Sequence, residues 1–311
     1  MIRGNEENML HNKVKIAIAV IIAICAISSA SILIRLTEAP ALTIAFYRVF
    51  IGTGIYFPFV LIQRKVNTEA FHKAKAPYRM LLVCFAGVCL AAHFGFWISS
   101  LRHTSIASSV SLVNTSPIFV ALFYRFSKNY PSELGNRPGW IWAGVILGMI
   151  GSIGLAGSDL FNPEGHSLFG DFLAVMGAIS LAGYLVTGRI IGSSIPTATY
   201  LTCVYGSSSI ILFLLCLLTA SPLFNFTQKT YLMLFLIGLV PQGIGHSLIN
   251  WSLRHLPATI VSLFVIAEPI GATVLAALIL REYPGISTIV FMALIVAGIS
   301  MSNFAFAKQK P

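Results

Sequence analysis

The chain has 311 residues, of which 57% are hydrophobic and 10% charged, where a soluble domain carries about 25% charged residues. With a mean hydropathy of +0.85, a single core cannot hide the apolar surface from water, which excludes a soluble enzyme, a disordered chain and a secreted disulfide scaffold. The 20 Lys and Arg against 10 Asp and Glu read as the basic loops of a membrane protein, not as a nucleic-acid surface.

Apolar runs of about 20 residues match the length that crosses about 30 Å of hydrocarbon. They predict ten helices, at 14–35, 41–62, 79–100, 105–124, 140–156, 170–190, 197–218, 230–251, 259–280 and 284–303. The expected fold is all-α and polytopic. Near Arg102-His103 and Arg254-His255 one run passes into the next with almost no loop, which implies antiparallel neighbours. With a cytoplasmic N-terminus and strict alternation, 15 Lys and Arg fall inside and 4 outside, with Arg48 within a span. That split supports ten helices with both termini cytoplasmic, in an inner membrane. On this reading residues 1–13 are a cytoplasmic tail, 157–169 an outside loop and 304–311 a basic cytoplasmic tail.

The run that follows the first residues has no small-residue cleavage site at its end, so it reads as a first span and not a removed signal. Cys25, Cys84, Cys89, Cys203 and Cys216 all lie in apolar runs without metal-ligand or CxxC spacing. They read as small buried hydrophobes. No metal and no cofactor is expected.

The chain also resembles itself. Ser100-Leu101-Arg102-His103 recurs as Ser252-Leu253-Arg254-His255, 152 positions on. The same step carries Val113 to Val265, Pro117 to Pro269, Ile118 to Ile270 and Ile27-Ser28 to Ile179-Ser180. It divides the chain into halves of five helices, 14–156 and 170–303. An odd number per half inserts the second half upside down, and such inverted repeats are typical of transporters.

Several segments carry a resemblance to a known family. In the first half they are "APALTIAFYRVF" with Pro40 and Arg48, and "SLRHTSIASSVSLVNTSPIF" through Pro117. In the second they are "SLRHLPATIVSLFVIAEPIGA", with its Glu268-Pro269 pair, and the closing "LILRE" with Glu282. The chain resembles the EamA-like transporters of the drug/metabolite transporter superfamily over nearly its whole length. The resemblance implies two inverted five-helix repeats and transport of amino acids, other metabolites, nucleotides or drugs. It marks Arg48 as a motif position. After the fourth helix "FYRFSKNYPSELG" stands where a Leu-Gly-Glu element is usual, with Glu133 as its displaced remnant.

Ionisable groups inside a span cost about 2.5–3.5 kcal/mol on insertion scales and persist where they face a partner or a wet cavity. Glu268 is the only carboxylate well inside a span, beside a proline that loosens the helix. It can serve as a proton-coupling site, as a ligand for a substrate ammonium, or as a structural partner of Arg48. Arg48 can snorkel, neutralise Glu268 or hold a substrate carboxylate. His93 and Trp97 share a face of the third helix, and Gln242, His246 and Asn250 form a polar stripe on the eighth. With Ser111, Asn114 and Tyr184 they are the candidate substrate-binding residues. Polar groups of this kind also serve as interhelical glue. Ser28, Ser31, Ser180 and Thr187 are further cavity candidates, although Ser and Thr often bond back to their own helix. Pro117, Pro241 and Pro269 are candidate hinges. Gly144-x-x-x-Gly148 invites close contact, either within the chain or in a homodimer.

No Walker A motif, no His-Glu-x-x-His, no Gly-x-Ser-x-Gly and no paired intramembrane aspartates are present, so an ATP-driven pump and intramembrane proteases are excluded. The expected function is a secondary transporter in the lipid bilayer that exports an amino acid or similar small polar metabolite by alternating access. Proton coupling would run through Glu268, unless the metabolite gradient alone drives flux. Uptake or exchange of a charged metabolite or drug uses the same fold. A lipid enzyme built on His93, His246 and Glu268, and a nonconducting accessory subunit, are the readings from other classes.

Overall fold

The computed structural model describes residues 2–66, 77–104, 106–125, 138–160, 168–280 and 285–307. In hydrocarbon each backbone N–H and C=O must find its partner within the segment, so apolar runs become helices. Among the described residues the helices group into ten rods. The first half holds α1 (Ile2–Ser28 and Ala30–Arg35), α2 (Ala41–Val66), α3 (Pro77–Ser100), α4 (Ile106–Val113 and Ser116–Arg125) and α5 (Pro138–Leu160). The second holds α6 (Leu168–Ile191), α7 (Thr197–Leu218), α8 (Gln228–Ser252), α9 (Ala258–Leu280) and α10 (Ile286–Ala307). Seven of them carry windows long and apolar enough to cross a bilayer: α1 to α3 and α6 to α9. α4 is interrupted, and α5 and α10 carry shorter apolar runs, Pro138–Gly154 and Ile289–Ser302.

The expected starts and ends lie within a few residues of these helices, with one exception. Residues expected as a tail before 14 continue α1 back to Ile2; no proline or glycine pair interrupts the winding there. Prolines stand at or just before several starts, at Pro40, Pro77, Pro138, Pro196 and Pro257, where a missing N–H costs nothing. The α7–α8 loop turns through Ala220 and Asn225 at positive φ. It returns to α2, where Thr43 Oγ1 donates to Pro222 O at 2.8 Å and Tyr47 OH to Leu223 O at 2.8 Å.

The packing has the symmetry of an inverted repeat. α2 packs on α7 and α5 on α10, each helix meeting its own counterpart. α3 packs on α6 as α8 packs on α1, and α4 on α6 as α9 on α1. Arg102 Nη2 donates to Ala39 O at 2.8 Å, and its repeat-mate Arg254 donates to Ile195 O. Each arginine thus ties its own helix turn to the loop before a proline-led helix. Thr104 Oγ1 bonds Asp171 near the start of α6, and Arg189 Nη1 bonds Leu253 O near its end. The two arginine ties therefore lie at opposite ends of the bundle.

The structure shifts one equivalence. α1 and α6 end at Arg35 and Ile191, 156 positions apart, and Ala39 and Ile195, the residues that the arginines bind, share that step. Ser28 therefore corresponds to Tyr184 and not to Ser180. The step of 152 holds only from α3 and α8 onward, because α2 is four residues longer than α7, 26 against 22.

The cysteines also depart from expectation. Cys216 is buried, Cys89 and Cys203 are half-buried, and Cys25 and Cys84 are exposed. The perimeter that carries them also exposes Ile21, Phe85, Ile210, Phe213 and Leu278, as an apolar surroundings permits.

The glycine face of α5 is filled from within the chain. A Cβ on Gly298 would lie 2.5 Å from Gly144 O and 2.5 Å from Gly148 N. A Cβ on Gly151 would lie 2.7 Å from Phe291 O. Backbone-to-backbone contact this close leaves no room for a second copy on that face, so Gly144 and Gly148 serve the α5–α10 seam. Gly298→Leu should lower stability by about 1–3 kcal/mol through overpacking, read as a drop in thermal midpoint in detergent. Gly54→Ala, where a Cβ meets nothing within 4 Å, should leave the midpoint unchanged.

Candidate functional site

Two helix interruptions meet at the middle of the bundle. α4 breaks at Asn114-Thr115 and α9 at Ile266-Ala267. Their hydrogen bonds repeat one pattern: Thr115 N to Leu112 O and Ile118 N to Thr115 O, then Ala267 N to Phe264 O and Ile270 N to Ala267 O, all 3.0–3.1 Å. Pro117 and Pro269 lack the N–H that an unbroken helix would offer to Val113 O and Val265 O. Ser28 Oγ donates to Glu268 O at 3.0 Å and fastens the second break to α1.

Between the breaks lies a cavity lined by Ile27, Arg48, His93, Trp97, Val113, Asn114, Leu181, Leu185, His246, Ile249, Val265 and Glu268. Its volume is about 20 Å³, room for about one water. Seven helices contribute to it: α1, α2, α3, α4, α6, α8 and α9. Gly177 lets α6 approach closely, since a Cβ there would lie 3.4 Å from Trp97.

Arg48 is fully buried. Its Nε donates to Gln242 Oε1 at 3.0 Å. Its guanidinium lies 4.1 Å from the Phe94 ring centre and 5.7 Å from that of Trp97. Such a desolvated cation–π contact is worth about 2 kcal/mol. Nη1 has no partner. Glu268 is half-buried and lines the same cavity. Among the described residues no ion pair joins it to Arg48, so the two charges face one space without neutralising each other by contact.

His93 Nδ1 lies 3.0 Å from Gly177 O. A carbonyl only accepts, so in the neutral ring Nδ1 carries the proton and Nε2 keeps its lone pair. The His93 ring stacks on Trp97 at 5.9 Å with 7° between planes. His246 packs 5.2 Å from Phe94 and 6.4 Å from His93, ring centre to ring centre. Trp97 Nε1, both amide atoms of Asn114 and His246 Nδ1 are buried without partners. Buried polar groups are normally satisfied, so these unmatched donors and acceptors, together with Arg48 Nη1, make the cavity the candidate ligand site.

Six of the residues singled out from sequence therefore come together: Arg48, His93, Trp97, Asn114, His246 and Glu268. Gln242, Asn250 and Tyr184 do not line the cavity. Gly238–His246 is wound as a π-helix around Pro241, and its wider turn spreads the expected stripe over different neighbours. Gln242 holds Arg48. Asn250 Nδ2 bonds the Tyr184 hydroxyl, and His246 O at 2.6 Å. Ser180 and Thr187 bond back to Met176 O and Gly183 O of their own helix. The side chain of Ser111, and Glu133 and Glu282, lie outside the described residues. Sequence reasoning missed Phe94 beneath the guanidinium and the apolar wall of Ile27, Leu181, Leu185 and Ile249. Phe94 adjoins His93, but no spacing links it to Arg48 on another helix.

Because a hydrogen bond to a charged group is worth about 1.5–3 kcal/mol, Gln242→Leu should cost that much stability, measured by thermal unfolding. Combining it with Arg48→Met should recover part of the loss, since no guanidinium then remains unmatched.

Comparison with known proteins agrees with this architecture. The model of the EamA-like transporter family matches residues 14–157 and again 168–304. YoaV of Bacillus subtilis, named an uncharacterized transporter, is 25% identical over 277 residues, covering 88% of this chain and 90% of that protein. An uncharacterized transporter of Archaeoglobus fulgidus is 24% identical over 310 residues, covering 96% of this chain and 99% of that protein. A solved protein structure aligns with a TM-score of 0.75 over 95% of this chain and 99% of that one, and its 18% identity speaks for the fold alone. With two copies of the family model covering both halves, the chain belongs to the EamA-like transporter family of the drug/metabolite transporter superfamily and is a multi-pass membrane protein.

Proposed function

We propose that the protein is a secondary transporter that exports amino acids or similar small zwitterions across the cytoplasmic membrane by alternating access. The observation that carries this reading is the single cavity in which Arg48 and Glu268 face one space among unmatched polar atoms. A carboxylate of the substrate suits the free Arg48 Nη1, which donates. An ammonium suits Glu268. Trp97 Nε1 and the Asn114 amide supply the remaining donors and an acceptor.

The outward direction follows from the number of carboxylates. Among the described residues Glu268 is the one carboxylate lining the cavity, so it holds either a substrate ammonium or a proton, not both. Exclusive occupancy couples the two as an exchange, and inward proton flow then drives the amine outward. The positive-inside distribution supports a cytoplasmic side for the Arg254 turn and both termini.

The test compares small molecules inside and outside cells that produce the protein, an empty vector, and Glu268→Gln at matched membrane levels. One class of zwitterion should accumulate outside with the parent. Glu268→Gln should lower that flux at least tenfold, the effect of losing about 1.4 kcal/mol. No difference in any solute, in either direction, would sink the transport reading. Undiminished flux through the Gln variant would remove Glu268 from coupling.

A further inference from the structure

A second cavity adjoins the first. It is lined by Val20, Ala23, Ile24, Ile27, Ile249, Ser252, Val261, Phe264 and Val265, between α1, α8 and α9. Three of these residues, Ile27, Ile249 and Val265, also line the central cavity. The two spaces are thus separated by one layer of side chains. All three are buried, and one comes from each of the three helices.

Its chemistry is the opposite of its neighbour's. Eight of the nine lining residues are hydrocarbon, and the ninth, Ser252, has its hydroxyl tied to Leu248 O at 2.8 Å. The polar group of Ser252 is therefore satisfied within its own helix. At about 10 Å³ the space is at or below what one water needs, and an apolar void of this kind stays dry. Half-buried Ile24 and Phe264 line it as well. It lies beside Ser252, on the Arg254 side of the central cavity.

Resting on the proposed function, we propose that this apolar recess is the side-chain subsite of the transporter. Arg48 and Glu268 hold the charged head of an amphipathic amino acid, and its aliphatic or aromatic side chain enters between α1, α8 and α9. Ile27, Ile249 and Val265 form the wall whose displacement admits it. A polar side chain would leave its own groups without partners there and be rejected. The shared wall of Ile27, Ile249 and Val265 puts the recess one side chain away from the polar cavity, within reach of a ligand held there.

The test is flux in proteoliposomes of the full chain with amino acids that differ only in side chain, from alanine and serine through leucine to phenylalanine and tryptophan. Flux should favour leucine and phenylalanine over serine. Ile249→Ala enlarges the recess and should raise the tryptophan-to-leucine flux ratio about tenfold, within the 10–200-fold range of single hydrophobic-pocket changes. Ala23→Leu fills the recess from the opposite wall and should shift preference toward alanine by a similar factor. Opposite shifts in the two variants support the subsite, and either shift alone does so if the other variant does not fold. Flux with a profile unchanged in whichever variants fold overturns the subsite and leaves the transport reading standing. Absence of flux for every amino acid in the parent overturns the proposed function and the subsite with it.

Discussion

The arrangement depends on one guanidinium. Arg48 sits fully buried in the middle of an apolar bundle, where an unsatisfied charge would not be tolerated. Three neighbours make it tenable: Gln242 accepts from Nε, Phe94 lies beneath its face, and Glu268 supplies the opposite charge across the cavity. Each comes from a different helix: α8, α3 and α9. The guanidinium therefore fixes the relative placement of four helices, α2 included. It does so without consuming its whole hydrogen-bonding capacity, because Nη1 stays free. A direct ion pair with Glu268 would have been a structural bond and little else. Separation leaves both charges open to a third party.

The fold is symmetric and the chemistry is not. The two breaks share one hydrogen-bond pattern, and the Arg102 and Arg254 ties occupy matching places. Yet Glu268 corresponds to Ser116, and Asn114 to Ile266. His93 corresponds to Gly245, and Asn250 to Ile98. Inverted halves give two equivalent backbone scaffolds, which suits a site that opens alternately to either face. The side chains on that scaffold have diverged, so the site has one carboxylate and one buried arginine. This is the composition on which the proposed exchange rests.

Most of the fold was legible in the sequence because it rests on local properties. Twenty-residue apolar runs predict helices that the bilayer demands, and the Ser-Leu-Arg-His repeat predicts their inverted pairing. The repeat register failed at Ser28, because the four extra residues of α2 relative to α7 change the step from 152 to 156 on the α1–α2 side. Arg48, His93, Asn114, His246 and Glu268 were readable because each is expensive in lipid, and Trp97 because it shares a helix face with His93. The same rule over-read Gln242, Asn250 and Tyr184. These are equally costly there, and they bond one another, Arg48 or the His246 carbonyl, while Gln242 Nε2 and Asn250 Oδ1 stay unmatched. Periodicity placed Gln242, His246 and Asn250 on one face because it assumed α-helical winding, which the π-helix of Gly238–His246 does not have. The apolar wall was invisible, since an isoleucine facing a cavity and one facing lipid look alike in sequence.

The size of the central cavity constrains how the protein works. At about 20 Å³ it holds about one water, far less than an amino acid needs. The structure is therefore closed around its site, and access requires the walls to part. They cannot part along α5 and α10, whose backbones meet through Gly144, Gly148, Gly151 and Gly298. The interrupted helices carry the fewest continuous backbone bonds at the level of the cavity. Beyond their breaks, α4 and α9 continue as short half-helices, and α8 carries its wide winding at the level of His246. At one end of the bundle Arg102 holds the α1–α2 loop, and at the other Arg254 holds the α6–α7 loop. Under the proposed alternating access, the two related arginine ties are the contacts that would exchange around the close-packed α5–α10 seam.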